Sequence, residues 1–163
     1  ECILTAGRIC NEFDVRFTLD HCTEGYMIAD LLKQATEGNC GGVIIGPLLT
    51  DRSKIELRNL SFKAPKALYD AGIEFAMMTD HPVIPQQYLP VCASISVKEG
   101  MPEDAALRSI TINAARIAGI DDRVGSLEPG KDADIAVFSG HPLDVRSRCV
   151  MCMVSGVVAH SEL

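Results

Sequence analysis

Apolar and polar residues alternate along this chain in two rhythms. Ile3, Ala6, Cys10 and Phe13 recur three and four apart, one face of a helix, and Asp14 to Asp20 then reads as a strand. Tyr26 to Ala35 is helical again, with Met27, Ile28, Leu31, Leu32 and Ala35 on one side and Gly38-Asn39 as its stop. Gly42 to Leu48 is a short apolar strand. A helix follows to about Ala71, with Pro65 in its first turn and Gly72 closing it. Ile73 to Thr79 is a strand, apolar except for Glu74 and its final threonine. Two helical stretches come next. One lies within Gln87 to Lys98, with Pro90 near its start. The other opens at Pro102, with Glu103 and Asp104 in its first turn, breaks near Asn113 and resumes to Gly119. This order predicts an α/β fold whose parallel strands are joined by crossover helices, with strands apolar on both faces.

From Asp132 onward the rhythm becomes that of strands: Ala133 to Phe138, Cys149 to Val154, and Val157 to His160. Ser155-Gly156 is a tight turn between the last two. The expected division is an α/β part over 1–120 and a small β part over 121–163. The opening helical pattern begins at Glu1 without a cap, so the numbering is expected to start inside a larger protein.

Composition narrows the function classes. The 163 residues are 47% hydrophobic and 23% charged, which suits a soluble chain with a core. A net charge of −7 argues against nucleic acid or an acidic membrane as partner, and with no Trp and 5% aromatics no base-stacking platform is evident. No apolar run is long enough to span a bilayer. Seven scattered cysteines fit reduced thiols in a cytoplasmic protein better than a disulfide framework. Cys149 and Cys152 form a CxxC, but inside a strand-like run and without a second pair, so they read as structural.

In parallel α/β folds the chemistry gathers where the strands end. His21 follows the first predicted strand, in Thr18-Leu-Asp-His-Cys-Thr-Glu-Gly25. Asp80 and His81 follow the third, in Met78-Thr-Asp-His-Pro82. The strand between them ends at Gly46-Pro47 and leads into the polar loop Thr50-Asp-Arg-Ser-Lys54. A neutral imidazole and a carboxylate at one sheet edge suit a divalent cation such as Zn²⁺. Each signal also has a plainer reading, a hydrogen-bonded loop histidine or a turn at Asp80-His81-Pro82.

These segments, together with Gly46-Pro-Leu-Leu-Thr50, Thr111-Ile-Asn-Ala-Ala-Arg116 and Val124-Gly-Ser-Leu-Glu-Pro-Gly-Lys-Asp-Ala-Asp134, resemble the amidohydrolase superfamily. The likeness is greatest to the branch with imidazolonepropionase and prolidase-like enzymes. It covers nearly the whole chain. It implies the C-terminal part of a (β/α)₈ TIM barrel, about three barrel strands with their helices, plus strands of a small β-sandwich. It implies His21 and Asp80 as metal ligands, with Asp80 also the catalytic proton shuttle. His81 and Glu24 follow as candidates for substrate contact or for contact with the ligands, whereas His141 and His160 are read as structural. The implied cofactor is a divalent metal, zinc first, with iron and manganese as alternatives.

The implied activity is hydrolysis of non-peptide C–N bonds in a small molecule, a cyclic amide or a dipeptide-like substrate, by water activated at the metal. A deaminase of the same superfamily and a non-catalytic amidohydrolase-like scaffold are the alternatives. The family's His-x-His, its fourth-strand ligand and its fifth-strand histidine do not occur in this stretch. The metal site is therefore expected to be incomplete and the isolated chain inactive. A partial barrel leaves strand edges open, so self-association of this chain is expected as well. A small doubly wound binding domain is the remaining reading. It lacks a phosphate loop, because Gly38-Asn-Cys-Gly-Gly42 precedes a strand instead of opening a helix.

Overall fold

The computed structural model describes residues 2–162; Glu1, read above as part of the opening helix, lies outside the described residues. Two sheets organise the chain. The first is parallel, ordered β1-β2-β3, from β1 (Phe17–Leu19), β2 (Cys40–Ile45) and β3 (Phe75–Met77). The second is antiparallel, ordered β4-β5-β6, from β4 (Ile135–Phe138), β5 (Cys149–Val154) and β6 (Val157–Ser161). Helices α1 (Cys2–Glu12), α2 (Ala29–Thr36) and α3 (Ala64–Asp70) alternate with the parallel strands. Helices α4 (Leu89–Lys98), α5 (Glu103–Ser109) and α6 (Ile112–Ala118) lie between the sheets in sequence. No helix among the described residues is long and apolar enough to cross a membrane.

Register explains why the parallel strands are apolar throughout. Leu19 pairs with Val43 and Val43 with Phe75, so one row crosses the sheet. All three residues are buried, and Leu32 of α2, Leu68 of α3 and Ala93 of α4 join them in one core. Leu143, in the loop between β4 and β5, belongs to that core too, and the Ser94 hydroxyl of α4 donates to its carbonyl. The small β part is thus fixed to the α/β part through an apolar plug as well as through sequence.

Several elements differ from the sequence reading, each for a local reason. Ala6 of α1 and Phe13 just beyond its end are exposed; Gly7 is buried, and Ile3, Leu4 and Cys10 are half-buried. A Cβ on Gly7 would lie 3.2 Å from the Ala35 carbonyl oxygen, so the two helices meet at the residue without a side chain and the stripe rotates to it. The helix expected over Tyr26 to Ala35 starts as a 3₁₀ turn over Gly25–Ile28 before becoming α2. The break expected near Asn113 falls at Ile110-Thr111. There the Ser109 and Thr111 hydroxyls bind the Ala106 and Leu107 carbonyls, and such local bonds compete with helix continuation. Asn113 instead donates its amide to the Phe75 carbonyl at 3.1 Å and docks α6 on β3. The hairpin turn is as expected: Ser155 and Gly156 both have positive φ, 48° and 80°, as a two-residue turn between twisted strands favours.

Candidate functional site

A cleft of about 740 Å³ opens where the three parallel strands end. Its walls come from the segments after β1 (Asp20 to Glu24), after β2 (Pro47 to Leu57) and after β3 (Asp80 to Ile84). His21, Glu24 and Asp80 all line it. His81 does not; it is exposed outside the cleft.

The backbone turns sharply at each strand end. His21 and Cys22 have φ of 63° and 43°, Asp80 has 53°, and Gly46 has 136°. Left-handed backbone at a non-glycine residue costs about 1–3 kcal/mol and tends to cluster where function demands it. Five non-glycine residues among those described have positive φ, and three of them line this cleft. The strain is therefore concentrated on the residues that carry the candidate chemistry.

His21 is held in a defined orientation. Its Nδ1 lies 3.1 Å from the Gly46 carbonyl oxygen. A carbonyl can only accept, so Nδ1 carries the proton and Nε2 keeps its lone pair for another partner. The glycine is required there: a Cβ at Gly46 would sit 2.1 Å from the Met78 carbonyl oxygen. The ends of β2 and β3 thus touch backbone to backbone beneath His21. Among the described residues, no protein group donates to the Asp80 carboxylate, which is half-buried.

The remaining acids differ in their commitments. Glu24 Oε1 accepts from the Asn59 side chain at 2.7 Å, and the Arg58 guanidinium lies 4.0 Å away. The Tyr26 hydroxyl donates to the Asn59 carbonyl at 2.9 Å. Glu24 therefore joins the segment after β1 to the segment after β2. Asp51 accepts from the Ser53 hydroxyl and amide, which hold its carboxyl below the usual range. Beside His21, Cys22 is buried, and burial pushes its thiol up to about 11, with the neighbouring Cys40 adding to the rise. It is a neutral thiol at physiological pH and supplies no anionic charge to the cleft.

Among the described residues no group of three or more His, Cys, Asp or Glu is arranged to hold a metal ion. His21 and Asp80 remain two donors, one nitrogen and one oxygen, on the same cleft. Two features escaped sequence reasoning: the Gly46 carbonyl beneath His21 and the Glu24–Asn59–Tyr26 connection. Lys54, read above as part of the polar loop after the second strand, lines the cleft wall. Gly46 left a trace, since a glycine ending an apolar strand marks close backbone approach. The connection depends on residues 33 to 35 apart and leaves no local signal.

Comparison with known proteins gives these features a context. The imidazolonepropionase of Geobacillus kaustophilus (strain HTA426) is 39% identical over 124 residues, 71% of this chain and 28% of that enzyme. An amidohydrolase from Thermotoga maritima MSB8 superposes with a TM-score of 0.90 at 41% identity, over 98% of this chain and 40% of that one. A prolidase crystallised with N-methylphosphonate-L-proline superposes with a TM-score of 0.70 over 96% of this chain and 43% of its own; at 18% identity it shows the fold alone. The chain thus spans less than half the length of each of these proteins. Residues 11–160 match the amidohydrolase family, imidazolonepropionase is among the homologues, and the chain belongs to that family.

Proposed function

We propose that the three parallel strands are part of a (β/α)₈ barrel and that the chain carries the C-terminal portion of a metal-dependent hydrolase of non-peptide C–N bonds. The observation that carries this reading is the single cleft lined by His21 and Asp80, which follow the two outer strands of one sheet. A cyclic amide or a dipeptide-like small molecule is the proposed substrate class, and the cleft is large enough for either.

The donors fit a divalent metal of the zinc type as part of a ligand set. His21 offers Nε2 because Nδ1 is bound to the Gly46 carbonyl, and Asp80 offers a carboxylate without a protein partner among the described residues. When bound, such an ion supplies Lewis acidity and makes water acidic enough to lose a proton near neutral pH. Asp80 then takes the proton from the attacking water and passes it to the departing nitrogen, which leaves as a neutral amine. A catalytic zinc site usually needs three protein ligands, so the remaining donors are assigned to the larger protein and the isolated chain is expected to be inactive.

In the full-length protein, metal analysis should find stoichiometric divalent metal. A chelator should remove it together with the hydrolysis of a panel of cyclic amides, N-acyl dipeptides and aminated nucleobases, and metal add-back should restore both. The panel separates amide hydrolysis from deamination. Metal-free protein that hydrolyses as well as the loaded form would overturn the metal reading, and a protein with neither metal nor activity would be the scaffold.

The seven cysteines are all free thiols, which supports a reducing, cytoplasmic setting. In the parallel sheet, β1 and β3 each have a strand neighbour on one side only among the described residues. We therefore expect the 163-residue chain alone to self-associate along these edges. Light scattering should give a mass above that of one chain; a monodisperse monomer would count against it.

A further inference from the structure

We propose that the loop after β2 is a ligand-recognition wall, and that its Lys54 binds an anionic group, a carboxylate, on the molecule that enters the cleft. The inference rests on the cleft being the substrate site, as argued above, and adds the chemistry of the substrate to it. Among the described residues Lys54 is the one lysine or arginine lining the cleft, and its ammonium group has no hydrogen-bond or ion-pair partner. The two arginines of the loop are engaged: Arg52 donates to the Leu60 carbonyl at 2.7 Å, and Arg58 faces Glu24; Lys63, at the start of α3, does not line the cleft.

The loop is also anchored at several points, so the position of Lys54 is not left to a free chain. Glu24 holds Asn59 from one side, and the Tyr26 hydroxyl holds the Asn59 backbone. Asp51 closes a turn on Ser53, and the Leu57 amide donates to the Lys54 carbonyl at 3.0 Å. Two of the cleft's carboxylates, Glu24 and Asp51, already accept bonds from protein donors, and Asp80 is assigned to the metal. Asp20 and Glu56 lie on the same walls with no side-chain partner among the described residues, and Lys54 is the one lysine or arginine there that a carboxylate can meet. A lysine ammonium recognises a carboxylate as a compact point charge with three donors. Glu24 acts through this wall as a positioning residue and does not itself need to touch the ligand.

The test uses the full-length protein and two probes, N-acetylglycine and its neutral amide N-acetylglycinamide, titrated calorimetrically. The wild type should prefer the carboxylate by about tenfold or more, Lys54→Met should erase the preference, and Lys54→Arg should keep most of it. Glu24→Ala should weaken the preference and speed tryptic cutting after Lys54 and Arg58, because the wall loses its anchor. Equal binding of the two probes by the wild type, or a preference that survives Lys54→Met, would overturn the proposal. An unchanged rate of tryptic cutting in Glu24→Ala would remove the anchoring role. Metal content measured on the same samples keeps the two readings apart. Metal present without a carboxylate preference sinks the recognition wall alone, and a preference without metal sinks the hydrolase mechanism while the wall stands.

Discussion

Asp80→Asn in the full-length protein should lower kcat by about 10²- to 10⁴-fold, the range removed when a positioned acid–base group is lost. The substitution is chosen for its backbone. Asp80 has a φ of 53°, a conformation that asparagine tolerates nearly as well as aspartate and alanine does not. The fold is therefore undisturbed, and the urea midpoint should stay close to wild type. What changes is chemical: the amide has no basic oxygen able to take a proton from water at neutral pH and return it to the leaving nitrogen. No protein donor to the carboxylate is lost among the described residues, so no buried partner is orphaned. Metal content separates the two proposed jobs of the residue. If Asp80 is mainly a ligand, metal and activity fall together; if mainly a shuttle, metal is retained while kcat collapses. A variant that keeps its metal and turns over within about twofold of wild type removes Asp80 from the mechanism.

How much of this was legible beforehand depends on how far apart in sequence the partners lie. The alternation of helices with apolar strands is a local signal, and it gave the order of the elements and the parallel sheet; β5 has the expected bounds, Cys149–Val154. The hairpin at Ser155-Gly156 is equally local, since two positive φ values in succession need small or turn-forming residues. The three parallel strands are shorter than their apolar runs suggest. Asp14 to Asp20 shrinks to Phe17–Leu19 because Asp14 turns with a φ of 54° and His21 turns at the other end. The face of α1 was misread because periodicity counts apolar residues and overlooks a glycine. It is Gly7, the residue contributing nothing to a hydrophobic pattern, that meets α2. In the site, His21 and Asp80 were visible as polar residues at strand ends. What their surroundings do was not, because the Gly46 carbonyl is 25 residues from His21 and Asn59 is 35 from Glu24. Sequence pattern names the residues at a sheet edge, whereas only tertiary structure says which of them hold one another.

The largest stability effect is expected at Gly46. Gly46→Ala should destabilise the protein by about 3–5 kcal/mol, from a backbone conformation that L side chains rarely adopt plus a steric clash that cannot be relieved by rotating a side chain. The φ of 136° lies beyond the left-handed well, and the added methyl would meet the Met78 carbonyl oxygen at 2.1 Å. Either β2 or β3 must move. Gly119 supplies the control, because its φ is 71° but a Cβ there meets nothing within 4 Å. Gly119→Ala should therefore show the conformational cost alone, about 1–2 kcal/mol. Urea unfolding of both variants gives the difference, which is the contribution of the close approach at the strand ends. Because the Gly46 carbonyl also receives the His21 Nδ1–H, displacement of β2 should reach the cleft: Gly46→Ala should bind metal more weakly than Gly119→Ala under conditions where both are folded. Equal destabilisation in the two variants would mean that the strand ends are not in contact, and the orientation of His21 would then need another cause.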